Sequence, residues 1–123
     1  MNAGLLTLDI ANRIQLGLLI FHLENGDDDR SLKLIYANKA AENHADISAD
    51  QVVGKTIDQI FPSLRDRGIP QRYADIIRNQ KETEVEELQY DDGHGKPVWF
   101  SIKAFPLSDQ YVGMSFKNIT ERK

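Results

Sequence analysis

The side chains able to do chemistry are few and scattered. Histidine stands at His22, His44 and His94, and cysteine is absent. Without a thiol there is no disulfide, thiolate nucleophile, thiolate metal site or cysteine-linked chromophore. No Gly-x-Ser-x-Gly occurs, and Ser48, Ser63, Ser101 and Ser108 have no histidine at a spacing that makes it their base. The three histidines fall on a strand, a short helix and a turn, so they do not readily converge on one metal, and no metal site is expected. Asp27-Asp28-Asp29 lacks the alternation and closing Glu of a calcium loop, and consecutive carboxylates in a hairpin point apart. Glu82, Glu84, Glu86 and Glu87 read as the wet surface of a strand. Asp91-Asp92-Gly93-His94-Gly95-Lys96 reads as a turn, since two carboxylates repel phosphate and the P-loop spacing is missing. No constellation suits catalysis.

The elements that position these residues follow from periodicity. Leu6, Ile10 and Ile14, four apart, mark an amphipathic cap helix within residues 1–15, which either covers the core or forms a dimer surface. Residues 17–24 read as a strand closed by Asn25-Gly26, and Leu32 to Ala37 as its hairpin partner. Asn38 is placed to cap a short helix through Ala40, Ala41 and His44. Gly54 and Pro62 leave room for only short helical turns between Ile47 and Phe61. Pro70 opens the one substantial middle helix, with Tyr73, Ile76 and Ile77 on its apolar side. Val85 to Tyr90, Val98 to Ala104 and Tyr111 to Asn118 complete three more strands. The fold class is therefore α+β, a five-stranded antiparallel sheet of hairpin, helical crossover and three-strand meander, with helices over one face.

Phe21, Tyr36, Tyr73, Ile77, Phe100, Ile102, Met114 and Phe116 are the side chains that would line any space between helices and sheet, with ordinary core packing the plain alternative for each. Tyr36 and Tyr73 stand out, because a buried hydroxyl needs a hydrogen-bond partner and a ligand can be that partner. The last strand ends at Asn118, where a helix-start signal, Thr120-Glu121, begins what reads as an output linker over residues 121–123. A module taken from a longer chain is expected to stop in this way.

These stretches resemble a PAS domain over about residues 17–123. Tyr36-x-Asn38-x-Ala40-Ala41 is similar to the family's entry into its first helix, Gly54-Lys55 to Phe61-Pro62 to its next step, and Pro106-Leu107-x-Asp109 to its last turn. Asn118-Ile119-Thr120-Glu121-Arg122-Lys123 stands where the family usually has Asp-Ile-Thr, so an ion-paired output gives way to a hydrogen-bonded one. The resemblance implies a sensor domain at 16–120, with a small-molecule pocket between sheet and helices and without catalysis of its own, ahead of a covalently linked output domain. Histidine kinase is the first expectation, and a cyclic-dinucleotide enzyme or a ligand-free dimerisation spacer the alternatives. It also implies signal output through Asn118, Ile119 and Thr120.

The missing cysteine removes a cysteinyl-flavin photocycle, and residues 69–80 hold no histidine to ligate haem. A non-covalent small molecule, or none, is expected. A homodimer through Leu6, Ile10, Ile14, Trp99 and Phe105 is expected as well. A net charge of −4 argues against nucleic acid as a partner. No apolar run nears the roughly 20 residues of a membrane span, so a cytoplasmic location without direct membrane insertion is expected, compatible with a membrane-anchored parent. A phosphoacceptor receiver domain is disfavoured because no helix interrupts the β region after residue 83, and a lipocalin-like or cone-shaped enzyme because the pocket lacks a polar constellation.

Overall fold

A computed structural model describes residues 16–83, 85–91 and 97–122. The expected cap helix with Leu6, Ile10 and Ile14, and the turn at 92–96, lie outside the described residues. The order is β1 (Gly17–Leu23), β2 (Leu32–Ala37), α1 (Lys39–Ala45), α2 (Ala49–Val52), α3 (Ile57–Ile60), α4 (Ile69–Asn79), β3 (Glu86–Asp91), β4 (Pro97–Pro106) and β5 (Tyr111–Asn118). Three-residue 3-10 turns span Asp29–Ser31 and Thr120–Arg122, and a longer one spans Pro62–Arg67. The strands form the expected single antiparallel sheet, in the order β2-β1-β5-β4-β3.

Alternate residues of each strand face the helices. Leu19, Phe21 and Leu23 of β1, Leu32 and Leu34 of β2, and Val112, Met114 and Phe116 of β5 are buried there. Helix α4 closes this layer with Ile69, Tyr73, Ile76 and Ile77, whose spacing of three and four keeps them on one side. Each such side chain, once buried, contributes about 1.5–3 kcal/mol. Helix α4 ends at Gln80, which takes a left-handed conformation (φ 55°) and donates its N–H to the Ile76 carbonyl.

Helix α1 begins where the sequence placed it. The Asn38 side chain accepts the Ala41 N–H at 2.8 Å and caps the helix. The same oxygen accepts the Leu18 N–H at 2.9 Å, and Asn38 Nδ2 donates to the Leu16 carbonyl at 3.0 Å. One side chain thus ties α1 to the entry of the first strand.

A guanidinium fork fastens the crossover. Arg65 Nε and one Nη meet the two Asp58 oxygens at 2.6 and 2.9 Å, and Arg65 also reaches Asp29 at 3.0 Å. The hydrogen bond from Arg65 holds the Asp58 carboxyl below its ordinary range, against the opposing effect of burial. Because the folded form prefers ionised Asp58, the stabilisation is present above the unfolded value, near pH 4, and fades as pH falls through the lower folded value. Urea unfolding between pH 2.5 and 6 is expected to show this loss, and Arg65→Met to flatten it. An unchanged pH slope in Arg65→Met refutes the linkage.

Candidate ligand-binding site

A cavity of about 250 Å³ lies between the helices and the inner face of the β3, β4 and β5 end of the sheet. Strands supply Leu88 and Tyr90 from β3, Val98, Phe100 and Ile102 from β4, and Met114 and Phe116 from β5. Phe61, Leu64 and Tyr73 close it from the helical side, and Asn43, His44, Asp46 and Asn118 form its polar rim. The rings are set edge to face, Phe61 on Tyr90 at 5.9 Å and Phe100 on Phe116 at 5.6 Å between centroids.

Tyr73 is the chemical feature of the interior. It is 2% exposed, lines the cavity, and its hydroxyl has no hydrogen-bond partner among the described residues. Burial pushes its ionisation well above the ordinary phenol value, so the group stays a neutral O–H. A buried hydroxyl without a partner is costly, by about 1–3 kcal/mol.

The rim leads out of the cavity. The Asn118 N–H donates to His44 Nδ1 at 3.2 Å, and Asn118 Nδ2 donates to the His44 carbonyl at 3.4 Å. Asn118 Oδ1 accepts the Thr120 N–H at 2.9 Å and its hydroxyl at 2.6 Å. The Thr120 hydroxyl oxygen in turn accepts the Trp99 N–H at 3.0 Å, while the Ile119 N–H donates to the Trp99 carbonyl at 2.8 Å. One asparagine therefore joins the cavity rim, the end of β5 and the turn beyond it. A helix was expected to open near Glu121; the described residues there form a 3-10 turn, Thr120–Arg122.

Of the residues expected around the cavity, Tyr73, Phe100, Ile102, Met114 and Phe116 line it. Phe21 and Ile77 do not line it; both are buried within the packed hydrophobic core instead. Tyr36 does not either, for a reason of register. Strict alternation from Leu32 and Leu34 places it inside, but β2 carries a bulge: Phe21 pairs with Leu34 and Ile20 with Tyr36, so Ile35 is the extra residue. Tyr36 thereby shares the outer face with Ile20. Trp99 and Phe105, expected at a dimer surface, both lie on that outer face, with Phe105 laid over Gly113, where an added Cβ would come within 2.3 Å of the ring. Sequence reasoning passed over Asn43, His44, Asp46, Phe61, Leu64, Leu88 and Tyr90. The strand residues among them had a usable signal, since Leu88 and Tyr90 alternate with Glu87 and Gln89.

The profile of the PAS domain matches residues 19–121. The chain belongs to the PAS family. Members are in general sensory modules without catalysis of their own, and this PAS domain shares its fold with solved relatives. It superposes on the PAS domain of a protein from Colwellia psychrerythraea with a TM-score of 0.73 and 14% identity, covering 98% of this chain and 100% of that one. The LOV domain of a blue-light activated histidine kinase from Erythrobacter litoralis is 26% identical, with a TM-score of 0.65 over 88% of this chain and 99% of that one. An RNA-binding light-oxygen-voltage receptor is 18% identical with a TM-score of 0.71, covering 97% of this chain, which spans 33% of that protein. No curated protein matches the PAS domain in sequence. Among the described residues no helix is long and apolar enough to cross a membrane, and no group of three metal-ligating side chains occurs.

Proposed function

We infer that this PAS domain is the sensory module of a larger signal-transduction protein, a two-component sensor histidine kinase, and that it reports the state of its cavity through β5. The observation that carries the reading is Asn118, which lines the cavity and holds the turn beyond β5 with the same side chain. A small molecule that favours one arrangement of that rim by about 1.4 kcal/mol shifts the populations tenfold. Kinase output is supported by the Erythrobacter litoralis relative. A reading frame that continues past residue 123 without a phosphotransfer helix pair removes that part.

A flavin cofactor fits these residues poorly. No cysteine is available for an adduct, and no Lys or Arg stands among the described lining residues to hold a phosphate tail. A volume of about 250 Å³ is also below the ordinary range for cofactor sites. Haem lacks a ligand on α4, which contains no histidine. A small non-covalent ligand is the better occupant.

Homodimerisation belongs to the same reading. The outer sheet face gathers Leu18, Ile20, Ile35 and Phe105, with Ile35 39% exposed, an apolar surface suited to a second copy. A protein that sediments as a monomer at every concentration removes this part.

The relay is tested by fragment screening followed by NMR of the amides at Asn118, Ile119 and Thr120 and of Trp99, the single tryptophan. Cavity ligands are expected to move these signals in the wild type. Asn118→Ala is expected to keep ligand binding while the Trp99 and Thr120 signals stop responding. An undiminished response in Asn118→Ala refutes the relay.

A further inference from the structure

The geometry points to an uncharged, largely aromatic ligand that presents a hydrogen-bond acceptor to the Tyr73 hydroxyl. This rests on the receptor reading above and narrows it to a chemical class. Three observations lead to it.

Tyr73 is the deep polar group. Its hydroxyl is enclosed and without a protein partner among the described residues, while the polar groups Asn43, His44, Asp46 and Asn118 gather at the rim. A buried phenol donates strongly to a carbonyl or ring nitrogen, and a ligand acceptor here satisfies a group that the fold leaves unsatisfied. The specificity is of the kind that rejects analogues lacking the acceptor.

Among the described residues no Lys or Arg lines the cavity, so a carboxylate or phosphate entering it would lose its water without a counter-charge from them, and Asp46 at the rim adds repulsion. Arg72, the residue beside Tyr73, is engaged with Glu86 at 2.8 Å and does not line the space. A hydrated ammonium ion would also give up its water in depth, where the polar partners are the Tyr73 and Tyr90 hydroxyls and the carboxylate of Asp46 stays at the rim.

The walls also select shape. Edge-to-face pairs of Phe61 with Tyr90 and Phe100 with Phe116 offer ring faces and edges to a flat guest. An apolar cavity of about 150 Å³ suffices for benzene, so about 250 Å³ matches a bicyclic ring system with one small substituent.

The test is a matched set of probes, acetylnaphthalene, ethylnaphthalene and naphthoate, substituted at the same ring position and titrated by calorimetry into the wild type and Tyr73→Phe. Comparing each probe between the two proteins cancels the unequal hydrophobicity of the probes. Tyr73→Phe is expected to weaken the ketone about fivefold to tenfold while ethylnaphthalene holds or tightens, and its binding certifies that the variant is folded. Naphthoate is expected to bind most weakly to both. Equal effects of the substitution on ketone and ethyl probes overturn the anchoring role, and tightest binding of naphthoate overturns the uncharged class. Either result leaves the receptor reading standing. Failure of all three probes to bind the wild type overturns the aromatic class, while the receptor reading falls only if the fragment screen finds no cavity ligand at all.

Discussion

Asn38→Ala is expected to lower the unfolding free energy by about 3 kcal/mol, a fall of roughly 10 °C or more in melting midpoint. Helix capping alone accounts for about 1 kcal/mol of this. The remainder follows from burial: Asn38 is 1% exposed, and its loss strands the Leu18 N–H and the Leu16 carbonyl as well as the Ala41 N–H. Asn38→Asp is expected to be comparably damaging even though it keeps the capping oxygen. It sets a buried carboxylate against the Leu16 carbonyl, where Nδ2 now donates. Urea denaturation measures both variants. A loss below about 1 kcal/mol for Asn38→Ala would show that capping is the whole role.

The second large effect is expected at Gly17. A Cβ there would stand 2.9 Å from two Phe116 ring atoms and 3.1 Å from the Ala41 Cα. Neither neighbour yields easily. Phe116 is 2% exposed and packed on Phe100, and Ala41 is buried backbone of α1. Gly17→Ala is therefore expected to destabilise by about 2 kcal/mol, the range for overpacking. It is also expected to weaken binding of cavity ligands, because the displaced ring belongs to the cavity wall. Thermal melting and the probe titrations read the two effects separately. A Gly17→Ala protein with wild-type melting and wild-type affinity contradicts the crowding.

Much of this architecture was legible in the residues. Alternation in 97–106 and 111–118 fixed which side of β4 and β5 is inner, and Asn38 and Pro70 marked two helix starts. What local pattern could not convey was register between strands and contact between distant elements. Tyr36 illustrates the first: a single extra residue in β2 moves it across the sheet, and nothing in the sequence of β2 announces the bulge. His44 illustrates the second, since its meeting with Asn118 depends on α1 lying across the end of β5. Phe21 and Ile77 have the composition of cavity residues, yet the cavity opens only under β3, β4 and the end of β5.

The pairing of Gly17 with Phe116 and of Leu19 with Met114 places the first and last strands side by side at the centre of the sheet. Loop closure over nearly the entire polypeptide must precede that pairing, which places the domain among the slower, high-contact-order folders. On a ribosome, β1 would wait with its central edge open until β5 leaves the exit tunnel, so the native sheet cannot form before that point, the β1–β2 hairpin aside. Stalling synthesis before residue 111 should leave nascent chains protease-sensitive, and release past residue 118 should protect them.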